Sequence, residues 1–88
     1  MLTSPGSETA QVGAVGARFE GDVLHVALSD GREIAVPLAR VPWLGWLLRA
    51  TPAQRERWSL EPQGFAIHWD ELDDGVEVVH LLALQPLA

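Results

Sequence analysis

The chain has 88 residues, no cysteine and a formal net charge of −6, with 12 carboxylates set against six basic residues that are all arginine. That length suits a single domain near the small end of what folds without a staple, and the missing cysteines exclude disulfides and thiolate metal sites. Nucleic-acid binders draw affinity from neutralising phosphates, so an acidic chain argues against direct DNA or RNA binding and favours a basic protein partner. No apolar run reaches the length of about 18 residues that a membrane span needs. The N-terminus also lacks a signal-peptide pattern, so a cytoplasmic location is expected.

Residues 1–13 are small and polar without apolar periodicity and read as a disordered N-terminal tail. Val15, Ala17 and Phe19 then alternate with Gly16, Arg18 and Glu20, the pattern of a half-buried strand. After a turn at Gly21-Asp22, Leu24, Val26 and Leu28 define the core face of a second strand, with Val23, His25 and Ala27 on the other. Asp30-Gly31 between two apolar runs predicts a type I′ hairpin into Ile34, Val36 and Leu38. Pro37 cannot donate to a ladder, which places it at a strand end or a sheet edge.

The middle of the chain reads as helical. Pro42 suits a first helical turn, and Val41, Leu44, Leu47 and Leu48 recur at helical spacing beside Trp43 and Trp46. Thr51-Pro52-Ala53-Gln54 matches a capping box that opens a second short helix expected to run through Trp58. Phe65, Ile67 and Trp69 lie on one face of a returning strand, Asp73-Asp74-Gly75 signals a turn, and Val76-Glu77-Val78 follows as a last strand. His80 to Leu84 tolerates helix, and Pro86 stops it. The order β-β-β-α-α-β-β predicts an α+β domain over residues 14–88, a small antiparallel sheet with two short helices packed on one face.

Three constellations bear on function. His68 and Asp70 share a strand face opposite Ile67 and Trp69, and His25 joins them if its strand is a neighbour. Imidazole with carboxylate is the minimum for acid–base chemistry, with Asp73 as a further acid, although surface histidines also pair with nearby carboxylates for purely structural reasons. Asp70, Glu71, Asp73, Asp74 and Glu77 put five carboxylates within eight positions. Their spacing does not fit an EF-hand loop, so a solvated acidic patch that docks arginines is the reading taken, without metal or cofactor. Four tryptophans are many for this length. Trp58 and Trp69 are expected in the core, and Trp43 with Trp46 at a partner interface. The alanines of the non-core sheet face (Ala27, Ala35, Ala66) invite a cover, supplied by residues 79–84 or by a second subunit.

Leu24-x-Val26-x-Leu28-Ser29-Asp30-Gly31-Arg32, Val36-Pro37-Leu38, Pro42-x-Leu44, Ala50-Thr51-Pro52-x-Gln54-Arg55, Trp58, Gly64, Ile67-His68-Trp69 and Leu72-Asp73 together span most of the chain. In order and spacing they resemble the small bacterial family called domain of unknown function 2442. Two features depart from its pattern, the long apolar stretch Trp46-Leu47-Leu48-Arg49 and Gly75 within the acidic run. The resemblance implies a small α+β domain and brings no established chemistry, substrate or cofactor. It further implies short cytoplasmic proteins, some encoded beside a second small protein in toxin–antitoxin-like arrangements and some with an added helix-turn-helix segment, which is not expected here. Three hypotheses follow: a non-enzymatic module for a basic protein partner, in an antitoxin-like or regulatory role; a small acid–base or metal-dependent enzyme built on His68 with Asp70 or Asp73, assisted by His25; or a homo-oligomeric scaffold.

Overall fold

A computed structural model describes residues 12–84. The expected N-terminal tail up to Gln11, and Pro86 as a helix stop, lie outside the described residues. Strands β1 (Ala14–Glu20), β2 (Val23–Leu28) and β3 (Glu33–Pro37) form an antiparallel meander in the order β1-β2-β3. Helices α1 (Gly45–Leu48) and α2 (Pro52–Arg55) follow two 3-10 turns. Strands β4 (Trp58–Leu60), β5 (Ala66–Trp69) and β6 (Asp74–Glu77) form a second antiparallel meander, and α3 (Val78–Leu82) closes the described chain. The α+β class holds, with the strands divided between two three-stranded sheets.

Local chemistry explains most of these elements. Thr51 Oγ1 accepts from the Gln54 N–H at 3.1 Å, and the Gln54 side chain accepts from the Thr51 N–H at 2.9 Å, completing the capping box. Helix α2 nevertheless ends at Arg55 instead of running through Trp58, because the Trp58-Ser59-Leu60 backbone pairs with Trp69-His68-Ile67. Pro37 ends β3 on the sheet edge, as its missing donor requires. At the β2–β3 hairpin only Gly31 has positive φ (93°), and its N–H returns to the Leu28 carbonyl at 3.0 Å. The turn is therefore not type I′: it closes with glycine alone in the left-handed region, the arrangement of longer hairpin loops.

Leu24, Val26, Leu28, Val36, Leu44, Leu47, Ile67, Trp69, Val78 and Leu81 belong to one core fed by both sheets and the helices. Two expected core residues lie outside it. A β-bulge between Ala14 and Gly16 shifts the phase of β1, burying Ala14 and leaving Val15 59% exposed. Phe65 precedes β5 and is 43% exposed, so only Ile67 and Trp69 carry that strand's core face. The run after residue 78 does not cover the outer face of the first sheet; α3 turns Val78 and Leu81 into the core. The sheets meet where Gly64, at φ +71°, presses on Ala14 so closely that a Cβ there would lie 2.2 Å from the Ala14 carbonyl oxygen.

Candidate functional site

The β5–β6 connection carries the acidic run. Asp70 and Glu71 open a 3-10 turn (Asp70–Leu72), and Asp73 follows in the left-handed region at φ 53°, which aspartate tolerates better than most residues. Half-buried Leu72 packs against the core and anchors the loop while the carboxylates on either side face solvent. Glu71 meets Arg57 at 3.2 Å, and Asp74 accepts from the Gly75 N–H at 2.8 Å. Asp70, Asp73, Asp74 and Glu77 have no arginine partner among the described residues, and neither do the isolated Glu56 and Glu61, whereas Glu20, Asp22, Asp30, Glu33 and Glu71 each have one. Glu77 lies 3.6 Å from His80.

The structure brings His68 and Asp70 together, with His68 Nδ1 2.9 Å from Asp70 Oδ1. It does not bring His25 to them. His25 belongs to β2 in the other sheet, where it faces Glu20 at 3.3 Å and Glu33 at 3.6 Å. Ser59 and Gly75 are the cross-strand neighbours of His68, and a Cβ at Gly75 would meet the imidazole at 3.1 Å. Among the described residues no group of three or more His, Asp or Glu side chains is arranged to hold a metal ion. The pair is therefore a base held by a carboxylate on an open sheet face.

The two helical tryptophans part company. Trp46 is half-buried and packs edge-on to Trp69 at 5.8 Å, while Trp43 stays 46% exposed beside His80 at 6.4 Å. Open grooves among the described residues include the following three. One of about 520 Å³ runs along β3 to Arg40, Leu81 and Leu84; one of about 450 Å³ lies between Phe65, Glu77, Val79 and Leu82; the third, of about 350 Å³, sits over Arg55. None of these three is lined by His25, His68 or Asp70.

Arg55 is the residue that sequence reasoning missed. It is 7% exposed and its guanidinium reaches the carbonyls of Leu47 (3.2 Å), Gly21 (3.0 Å) and Leu48 (3.0 Å) and Asp22 Oδ1 (3.0 Å). It lies 5.3 Å over the Phe19 ring, and its own carbonyl accepts from Trp69 Nε1 at 2.9 Å. A buried guanidinium is stable only when its donors are met, so Arg55 ties α1, α2, the β1–β2 turn and β5 into one assembly. The capping box just before it was a local signal for α2; its burial depends on partners more than 30 positions away, which no spacing announces.

Among the described residues, Asp30 and Arg18 are perturbed in their titration. The Arg32 backbone N–H, followed by its guanidinium at 2.8 Å, holds the Asp30 carboxyl below its ordinary value, so Arg32 braces the hairpin turn. Arg18 is raised, first by its hydrogen bond to Glu20 and further by Glu33.

Two small meanders over a shared core, with an acidic connection and a His–Asp pair, define a small α+β domain. The family model for "Protein of unknown function (DUF2442)" matches residues 14–86, and the chain belongs to that family. The chain is also similar to a crystallised protein of unknown function from Rhodospirillum rubrum ATCC 11170, at 26% identity and a TM-score of 0.68 over 82% of this chain and 86% of that one. No curated protein matches the chain in sequence. No helix among the described residues is long and apolar enough to cross a membrane.

Proposed function

We propose that this chain is a non-enzymatic interaction module whose acidic β5–β6 connection docks a basic protein, in an antitoxin-like or regulatory role in the cytoplasm. One observation carries the reading. Five carboxylates among the described residues meet an arginine, Glu71 of the connection included, whereas Asp70, Asp73 and Asp74 lie clustered without one; of the others without one, Glu56 and Glu61 stand apart in the sequence and Glu77 meets His80. Clustered like charge costs self-repulsion and is repaid when a cationic partner arrives, mainly as a faster encounter. Exposed Trp43, at the Glu77 end of β6 through His80, supplies an aromatic contact of the kind that anchors interfaces.

The test is recovery of a stoichiometric basic protein from cell lysate by the tagged chain, followed by association kinetics with that protein. Asp73→Asn with Asp74→Asn keeps the left-handed position tolerable while removing both charges; association should slow and its salt dependence flatten. An unchanged rate and salt slope would sink the proposal. The 2.9 Å contact between His68 and Asp70 supports the second reading, a small acid–base enzyme. His68→Ala abolishing a measurable hydrolytic activity would move weight to it.

A further inference from the structure

The two edges of the first sheet are finished differently. The β1 edge is broken by the bulge at Val15 and packed against β4 and the 62–64 turn. The β3 edge is straight and borders the 520 Å³ groove. Its hydrogen-bond phase follows from the ladder. Leu38 donates to Asp22 and Leu28 to Arg32, so the residues of β3 in phase with positions 32 and 38, Ile34 and Val36, bond to β2. The main-chain groups of Glu33, Ala35 and Pro37 therefore point into the groove. No described residue outside the sheet accepts from the N–H of Glu33 or Ala35. Soluble proteins normally blunt such an edge with lysine, a bulge or a covering element; among the described residues Pro37, at its end, is the one such device here.

We infer that this edge is the contact between two copies of the chain, paired antiparallel through β3 about a two-fold axis at Ala35. Self-pairing fits each feature of the groove. Ala35 is small and exposed, so two copies meet at the axis without a clash. Each Ala35 N–H donates to the carbonyl of Ala35 of the partner subunit, and each Glu33 N–H donates to the carbonyl of the partner subunit's Pro37. The proline then sits where its missing donor breaks no bond at the centre. Ile34 falls opposite Val36 of the partner subunit, a β-branched pair over a floor that includes Leu81 and Leu84. The charges agree as well. Glu33 and Arg40 line the same groove, one from the start of β3 and one from just beyond its end, and Arg40 has no ion pair among the described residues. Antiparallel pairing reverses the order in the second copy, so each Glu33 approaches Arg40 of the partner subunit and like charges stay apart.

Sedimentation equilibrium of the full chain tests it directly. The mass should rise with concentration from the 9.6 kDa of the monomer to twice that value, with the amide protons of Glu33 and Ala35 gaining protection in step. Ala35→Pro removes an outward donor and no hydrogen bond to β2, and the folded variant should dimerise more weakly by roughly tenfold or more at unchanged tryptophan fluorescence. Glu33→Arg and Arg40→Glu should each dimerise poorly alone and well when mixed, because the mixture restores both opposite-charge contacts. A chain that stays monomeric at millimolar concentration overturns the proposal. So does a folded Ala35→Pro that dimerises normally, or a mixture that associates no better than its components. Should Ala35→Pro fail to fold, the mixing experiment decides between pairing and no pairing.

Discussion

Arg55 and the carboxylates of residues 70–77 are both strong charges in a small domain, and the fold treats them in opposite ways. Arg55 is taken out of water and met on every side: three carbonyls, one carboxylate and an aromatic face. Asp70, Asp73 and Asp74 stay in water, close together and without an arginine. Burial makes the first arrangement indispensable to folding, since any lost partner leaves a desolvated group behind. Solvation makes the second nearly neutral for stability and leaves it available to something outside the chain. The buried charge is explained by the structure around it, and the unmatched cluster is what the proposed docking rests on.

The largest effect should come from breaking the satisfied side. Arg55→Ala strands the carbonyls of Leu47, Leu48 and Gly21 and should cost about 3 kcal/mol or more in urea denaturation. Arg55→Lys should recover only part of it, because a single ammonium cannot span partners that the planar fork reaches together. Next, Trp69→Phe keeps a ring against Phe19 and Trp46 but removes the donor to the Arg55 carbonyl, for a loss of about 2 kcal/mol. A loss well below that would mean the Arg55 assembly does not depend on its link to β5.

On the unmatched side, Asp73→Asn with Asp74→Asn should move stability by no more than about 0.5 kcal/mol. A larger loss, measured by the same denaturation, would make the acidic connection structural and erase the contrast. The smallest effect is a pH dependence at the β2–β3 hairpin. Asp30 is held below its ordinary value of 3.8 in the folded chain, first by the Arg32 N–H. A depressed folded value adds stability above the unfolded pKa, and that stability is lost as pH falls through the folded one. Asp30→Asn should therefore lower the urea midpoint slightly at neutral pH, with the difference from the parent fading as pH falls below 3.8 and gone once it is below the folded value. A difference that persists in acid would assign the effect to the Asn side chain's turn geometry and not to the charge.

Much of the fold was legible along the chain because the deciding interactions are local. The capping box at Thr51–Gln54, the stop at Pro37, and the alternation of Leu24, Val26 and Leu28 each involve neighbours within a few positions. His68 with Asp70 was legible for the same reason. Less legible was whether Trp43 and Trp46, one helical turn apart, share a role: only the position of Trp69 draws Trp46 inward and leaves Trp43 beside His80.

The sequence by itself determined the α+β class, the hairpins, the family and the local His–Asp pair, since propensity, turn chemistry and side-chain alternation act over a few residues. Only the tertiary structure decided the rest. It split the strands into two sheets by pairing Trp58-Ser59-Leu60 with β5, put His25 and His68 on different sheets, turned Val15 out at the bulge and buried Arg55 among distant carbonyls. Those outcomes depend on contacts between segments far apart in the chain, where a polar group's fate is set by which partners the packed core brings within reach.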